Sequence, residues 1–183
     1  MTLEEKVGQM TQLAIGFIST GAGDDIQFDQ AKLEKAVVKY GAGSILNVKD
    51  QALTVDKWRQ LIGQLQAASQ KTRLKIPVLY GIDSIHGGTY VRGATLSPQE
   101  IGMAATWNPA LMQRVSEIAA SETRAAGIPW TSRPFSTLVV SHCGRASMKR
   151  LVRILIWRPS WASLLCAALR ATTSRHPIML RLP

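Results

Sequence analysis

The sequence predicts an α/β chain built on a parallel sheet, and three observations carry that prediction. Short apolar runs bounded by glycine or charged residues occur at 44–48, at 76–83 and from 128 onward. Between them lie segments with apolar residues at helical spacing, each about long enough to cross from one strand to the next. The third observation is length. A closed (β/α)8 TIM-type barrel takes about 250 residues, so 183 residues accommodate only a partial barrel of about three βα units. Such an incomplete sheet leaves an exposed edge.

The elements follow in order. Thr2 and Glu5 form a capping box, and Leu3, Val7, Met10 and Leu13 recur at helical spacing, which predicts an amphipathic helix over 2–13. Gly21-Ala-Gly-Asp-Asp reads as a loop. A second helix is expected over 30–40, with Leu33, Val37 and Val38 on one face and Gly41 as its stop. The segment 44–48 (Ser-Ile-Leu-Asn-Val) reads as a buried strand. A third helix runs from Thr54 to about Lys71 and carries Trp58, Leu61, Ile62 and Leu65. Residues 76–83 form the next strand. Asn108 caps a further helix with Pro109 at its first position and Gly127 at its end, and Ile128-Pro-Trp130 opens another strand.

Charge divides the chain at Trp130. All twelve carboxylates lie between Glu4 and Glu122, whereas residues 131–183 hold eight Arg, one Lys and no acid. An average segment of that length would hold about 6 acids. The net charge of +10 is therefore +9 from 131–183 and +1 from the rest. A basic protein suggests nucleic acid or an anionic membrane as partner. Here the basic residues are scattered among Leu, Trp, Ser and Pro without a nucleic-acid motif, so no nucleic-acid partner is expected. The longest charge-free run of the tail, 159–169, falls short of the roughly 20 residues that span a bilayer, and no membrane partner is expected either. The charged opening Thr2-Leu-Glu-Glu-Lys6 does not read as a secretory signal. Cys143, Cys166, His142 and His176 match no zinc spacing and read as incidental residues, so no metal or cofactor is expected.

Asp83 ends a predicted buried strand, the position at which parallel α/β proteins place ligand-binding groups. The Ser84-Ile-His86-Gly-Gly88 turn adds an imidazole and two glycines. A carboxylate there can accept hydrogen bonds from sugar hydroxyls, or can simply serve as a turn or helix-cap residue. His86-Gly-Gly lacks the G-x-S-x-G elbow that serine hydrolase chemistry would need. Gly41-Ala-Gly43 has no third glycine of a dinucleotide fingerprint. Trp107 and Trp130 are candidates for stacking on a sugar face, and Trp58 for the core. Glycosidases use two carboxyl groups flanking the scissile bond. Glu100, Glu117 and Glu122 qualify by type alone, and the latter two read better as solvated acids of a crossover helix.

Six ordered stretches then carry a resemblance. They are Met1-Thr-Leu-Glu-Glu-Lys-Val-Gly-Gln-Met10, Gly43-Ser-Ile-Leu-Asn47, Ile76-Pro-Val-Leu-Tyr-Gly-Ile-Asp-Ser-Ile-His-Gly87, Gly93-Ala-Thr-Leu-Ser-Pro-Gln-Glu-Ile-Gly102, Ala105-Thr-Trp-Asn-Pro109 and Glu122-Thr-Arg-Ala-Ala-Gly-Ile-Pro-Trp130. Together they cover residues 1–130 nearly continuously, and this region resembles the glycoside hydrolase family 3 N-terminal domain of bacterial β-glucosidase-like members. The resemblance implies a (β/α)8 barrel, retaining hydrolysis of terminal β-D-glucosides through a covalent glycosyl–carboxylate intermediate, and β-glucosides or oligosaccharides as substrate. It implies that Asp83 grips hydroxyls of the sugar at the cleavage subsite, with His86 nearby in the same motif. The family's nucleophilic Asp, its acid/base residue and a Lys-His pair of the sugar pocket all lie beyond the matching region. No catalytic residue is therefore expected here, and the chain reads as a fragment, inactive alone. The other reading is a sugar- or polyanion-binding module that uses the basic tail.

In the family, Gly-Ile-Pro-Trp continues with N-F-S-P-V-L-D and later Y-E-T-F-G-E-D-P-Y-L-A-S-V-M-G, which residues 131–183 do not follow in frame. One base lost after the Trp130 codon accounts for this. Met148 and Trp161 have single codons ending in G. Met148 followed by Lys149 then forces GAA, the Glu of Y-E-T, and Trp161 followed by Ala162 forces GGC, the Gly of V-M-G. The expected division is thus 1–130 as the N-terminal part of the barrel and 131–183 as a non-native, poorly ordered tail that forms no domain.

Overall fold

The computed structural model describes residues 1–131. The expectations for 132–183, including Cys143, Cys166, His142 and His176, lie outside the described residues.

In chain order the elements are α1 (Leu3–Met10), β1 (Gln12–Ala14), a 3-10 turn (Ile15–Phe17), β2 (Ser19–Thr20), a second 3-10 turn (Gly23–Asp25), β3 (Gln27–Phe28), and α2 (Gln30–Leu33), which runs on as a π-helical stretch (Glu34–Lys39). Then come β4 (Ser44–Leu46), α3 (Val55–Ser69), β5 (Leu79–Ile82), α4 (Glu100–Ala105), α5 (Pro109–Ala125) and β6 (Trp130–Thr131). Strands β1, β4, β5 and β6 form one sheet in that spatial order, and every pairing is parallel. Neighbours in this sheet thus follow one another along the chain, as in a barrel and unlike a doubly wound sheet. Strands β2 and β3 make a small antiparallel pair.

The described residues divide into two compact units. The first comprises 1–83, 89–94 and 123–131. Its core joins Ile15, Ile18, Leu33, Val37, Ile45, Trp58, Leu61, Leu65, Tyr80, Ile82 and Ile128. Trp58 is fully buried, its indole N–H donates to the Tyr90 carbonyl at 2.8 Å, and its ring meets that of Tyr80 edge-on at 5.4 Å. The helical spacing of α3 therefore placed Trp58 correctly. The second unit comprises 84–88 and 95–122 and packs Met103, Met112 and Ala119 together with Val115.

Three sequence expectations change. The first helix stops at Met10, because Thr11 takes an extended conformation and Gln12–Ala14 pair with Ser44–Leu46 as β1. Its apolar residues Leu3, Val7 and Met10 are exposed, Met10 at 85 %. What α1 presses inward is Gly8: a Cβ there would run into the Tyr40 carbonyl. Finally, Glu100–Ala105 forms the helix α4 in a stretch for which the sequence predicts no element. The capping residues Thr2, with Glu5, and Asn108, with Leu111, stand where expected, and Thr54, the expected start of the third helix, caps it through Lys57 N–H.

Candidate functional site

Within the first unit, Asn47 and Asp83 stand one residue beyond the ends of β4 and β5, at the carboxyl ends of two adjacent parallel strands. The Asn47 N–H donates to the Gly81 carbonyl at 2.8 Å, carrying the ladder one step past the strand. Asn47 has φ of 63°, a left-handed conformation that asparagine tolerates better than most residues. Its side chain meets Asp83 twice. Asn47 Nδ2 donates to Asp83 Oδ2 at 2.9 Å, and Asp83 N–H donates to Asn47 Oδ1 at 2.9 Å. From the core side, the Tyr80 hydroxyl donates to the Asn47 carbonyl, and burial pushes the Tyr80 phenol well above its usual range. Both site residues are half-buried.

The surroundings hold this rim in place. After β4 the chain is stitched to 89–94 by Leu53 N–H to Tyr90 O at 3.0 Å and Arg92 N–H to Leu53 O at 2.8 Å. Arg92 also grips Asp24 through both terminal guanidinium nitrogens, at 2.9 and 2.8 Å. Close to Asp83 in the sheet, Gly81 leaves room for the Trp130 ring, into which a Cβ at that position would project. Trp130 is partly exposed.

The other sequence candidates fall in the second unit. His86 is half-buried and its Nδ1 lies 3.0 Å from the Ser97 carbonyl. A carbonyl only accepts, so Nδ1 carries the hydrogen, and in the neutral ring Nε2 is left as an acceptor. The turn around His86 is closed by Ser84 Oγ donating to Gly87 O at 2.6 Å and by Ser97 N–H donating to His86 O at 3.0 Å. Glu122 accepts from both the backbone N–H and the hydroxyl of Thr95, at 2.9 and 2.8 Å. It ties down the Thr95 loop through contacts at the exposed surface, where the sequence places a surface acid. Glu117 accepts from Gln113 and pairs with Arg114. Glu100 is the first residue of α4. Trp107 is 68 % exposed and left-handed, with φ of 52°.

A large groove in the first unit is lined by residues of α1, of the helix over 30–39 and of the segments before β4 and β5. Leu3, Val7, Phe17, Tyr40, Leu74 and Ile76 are among the residues that line it. Its walls are mainly apolar, unlike the polar pair Asn47 and Asp83 at the carboxyl-terminal rim. Among the described residues no group of three His, Cys, Asp or Glu side chains is placed to hold a metal ion, and no helix is long and apolar enough to cross a membrane.

Asn47 is the residue that sequence reading missed. It lies inside one of the six motif stretches, and its position directly after an apolar strand was a usable signal. Its partner, 36 residues away, was not legible.

A parallel sheet whose neighbouring strands follow one another along the chain defines an α/β protein of the barrel type, and Asn47 and Asp83 stand at the carboxyl ends of two of its strands. The chain belongs to glycosyl hydrolase family 3: the pattern described as "Glycosyl hydrolase family 3 N terminal domain" matches residues 2–150 and so runs past Trp130. A lysosomal β-glucosidase of Dictyostelium discoideum is 34 % identical over 143 residues, a match covering 73 % of this chain and 17 % of that protein. The crystal structure of an exo-1,3/1,4-β-glucanase, ExoP from a Pseudoalteromonas species, superposes with a TM-score of 0.58 at 31 % identity over 72 % of this chain and 16 % of that one. A β-N-acetylhexosaminidase from Beutenbergia cavernae superposes with a TM-score of 0.67 at 22 % identity over 94 % of this chain and 51 % of that one, and shares the fold. The match spans 17 % of the length of the Dictyostelium relative, so this chain corresponds to a small part of such a protein.

Proposed function

We propose that this chain is the amino-terminal part of the barrel of a β-glucosidase-like retaining glycoside hydrolase, and that Asp83 is its ligand for hydroxyls of a terminal β-D-glucosyl residue. The observation that carries the proposal is the placement of the Asp83 carboxylate one residue beyond β5, hydrogen-bonded to Asn47. A carboxylate so held forms charge-assisted hydrogen bonds to sugar hydroxyls. His86, in the second unit, is proposed separately as a hydroxyl-binding group through Nε2, its Nδ1 being engaged with Ser97.

Binding of this kind orients the sugar but breaks no bond. Retention requires a carboxylate that attacks the anomeric carbon and an acid that protonates the departing oxygen. Glu122 bonds Thr95, and Glu117 bonds Gln113 and Arg114, and by the family resemblance the nucleophile and the acid lie beyond residues 1–130. The 183-residue chain on its own is therefore proposed to be inactive as a glycosidase. The purified chain should release no phenol from an aryl β-glucoside above background, and robust turnover would overturn the proposal. Sequencing the source DNA across the Trp130 codon tests the fragment reading separately. One restored base should reopen a frame that runs into F-S-P-V-L-D.

A second reading rests on the segregation of charge, with nine basic groups and no acid in 131–183. It makes the chain a polyanion-binding module. Binding to DNA or anionic lipid that weakens steeply with salt, and vanishes on deleting 131–183, would favour it.

A further inference from the structure

We infer that Asn47 is the positioning residue of the sugar site: its side-chain amide sets the orientation and charge of the Asp83 carboxylate. The inference rests on the reading of Asp83 as a sugar ligand and adds a residue to it.

The amide orientation follows from the bonding alone. Asp83 N–H can only donate, so the atom 2.9 Å from it is Oδ1, and Nδ2 therefore faces the carboxylate, 2.9 Å from Oδ2. One planar group thus binds the backbone and the side chain of the same residue, which restricts rotation of that carboxylate. The amide is itself held through its own backbone. Its N–H bonds Gly81 O at 2.8 Å, and its carbonyl takes the hydroxyl of Tyr80, a residue wholly buried and stacked edge-on against Trp58. The orientation of Asp83 is in this way referred back to the centre of the core. An aspartate at position 47 would oppose a second carboxylate to the first, and serine would be too short to span both bonds. Glycine would accept the left-handed backbone while deleting the amide.

The last property supplies the test, carried out on the full 183-residue chain. Asn47→Gly keeps the backbone conformation, and Asn47→Asp keeps the size but reverses the polarity. The protonation midpoint of the Asp83 carboxyl is followed by carbon-13 NMR in each. A hydrogen bond donated to a carboxylate favours its charged form, so the midpoint should rise in Asn47→Gly and rise further in Asn47→Asp. Equal midpoints in all three proteins would overturn the inference, whether or not any sugar binds. Titration with methyl β-D-glucoside, read from chemical shifts, then separates the two claims. Asn47→Gly should bind about tenfold more weakly than wild type, in keeping with the loss of a hydrogen bond to a charged group. Wild-type affinity in Asn47→Gly, with binding abolished in Asp83→Ala, would remove Asn47 from the site and leave Asp83 in it. Unchanged binding in Asp83→Ala, or none in wild type, would remove the sugar reading. The carboxyl midpoints would still decide whether Asn47 governs Asp83.

Discussion

At the scale of single residues, Trp58 and Gly81 show how little latitude this rim has. Trp58 is fully buried, and its N–H is one of two donors on the Tyr90 carbonyl, the other being Leu53 N–H. Trp58→Ala should cost about 3–5 kcal/mol in urea unfolding, the range for deleting a large buried aromatic side chain. Trp58→Phe should cost much less, because Leu53 still satisfies Tyr90. Gly81→Ala would drive a methyl group into the Trp130 ring and should cost about 1–3 kcal/mol as an overpacking change. It should also perturb tryptophan fluorescence before unfolding begins. What the sequence revealed at this scale depended on whether one residue sufficed. The position of Asp83 directly after a strand was readable from its neighbours, and the burial of Trp58 from the periodicity of its helix. Asn47 was not, because its meaning lies in a bond to another strand. The Thr95 partner of Glu122 was not legible for the same reason, being on a different segment.

At the scale of elements, the sequence was most legible where a side chain closes a helix locally. Thr2, Thr54 and Asn108 all bond the third residue of their helices. Thr54→Ala should lower stability by about 1 kcal/mol, while Thr54→Ser should restore most of it, both measurable by denaturant unfolding. Two elements without such marks were missed. Strand β1 is three residues long and exists because β4 pairs with it, and α4 has no side-chain cap. The start of α1 adds a pH-dependent tie. Arg73 bonds both carboxylate oxygens of Glu5, at 2.9 and 2.7 Å. That contact, followed by the bond from Thr2 N–H, lowers the Glu5 carboxyl from 4.5 to about 2. The folded value lies below the unfolded one, so the stabilisation is complete above about pH 4.5 and disappears as pH falls through about 2. In Arg73→Leu the slope of stability against pH should flatten across that window, and an unchanged slope would place the acid sensitivity elsewhere.

At the scale of the whole molecule, the sheet has two ends. Among the described residues β1 pairs only with β4, and β6 only with β5. Beside β1, helix α1 carries Leu3, Val7 and Met10 in the open, at 73 %, 56 % and 85 % exposure. An unpaired strand next to apolar side chains is a template for self-association. Val7→Lys with Met10→Lys should reduce concentration-dependent association in sedimentation velocity and leave the far-ultraviolet dichroism unchanged. Persisting association would point to another surface. The parallel order of the sheet was readable from apolar strand runs alternating with helices. Its count of four strands was not, since β1 lies within what reads as a continuing helix.

The pairing of Asn47 with Asp83 also has a consequence in time. The two residues are 36 positions apart and are joined by a single strand–helix–strand passage through α3. Their meeting requires only that passage to close, which places it among the shorter-range contacts a parallel sheet can make. On the ribosome, where chains lengthen at about 5–20 residues per second, this ligand pair can be set within seconds of β5 clearing the exit tunnel. The oriented Asp83 carboxylate is then a feature of the nascent chain, in place before any later strand has arrived to join it.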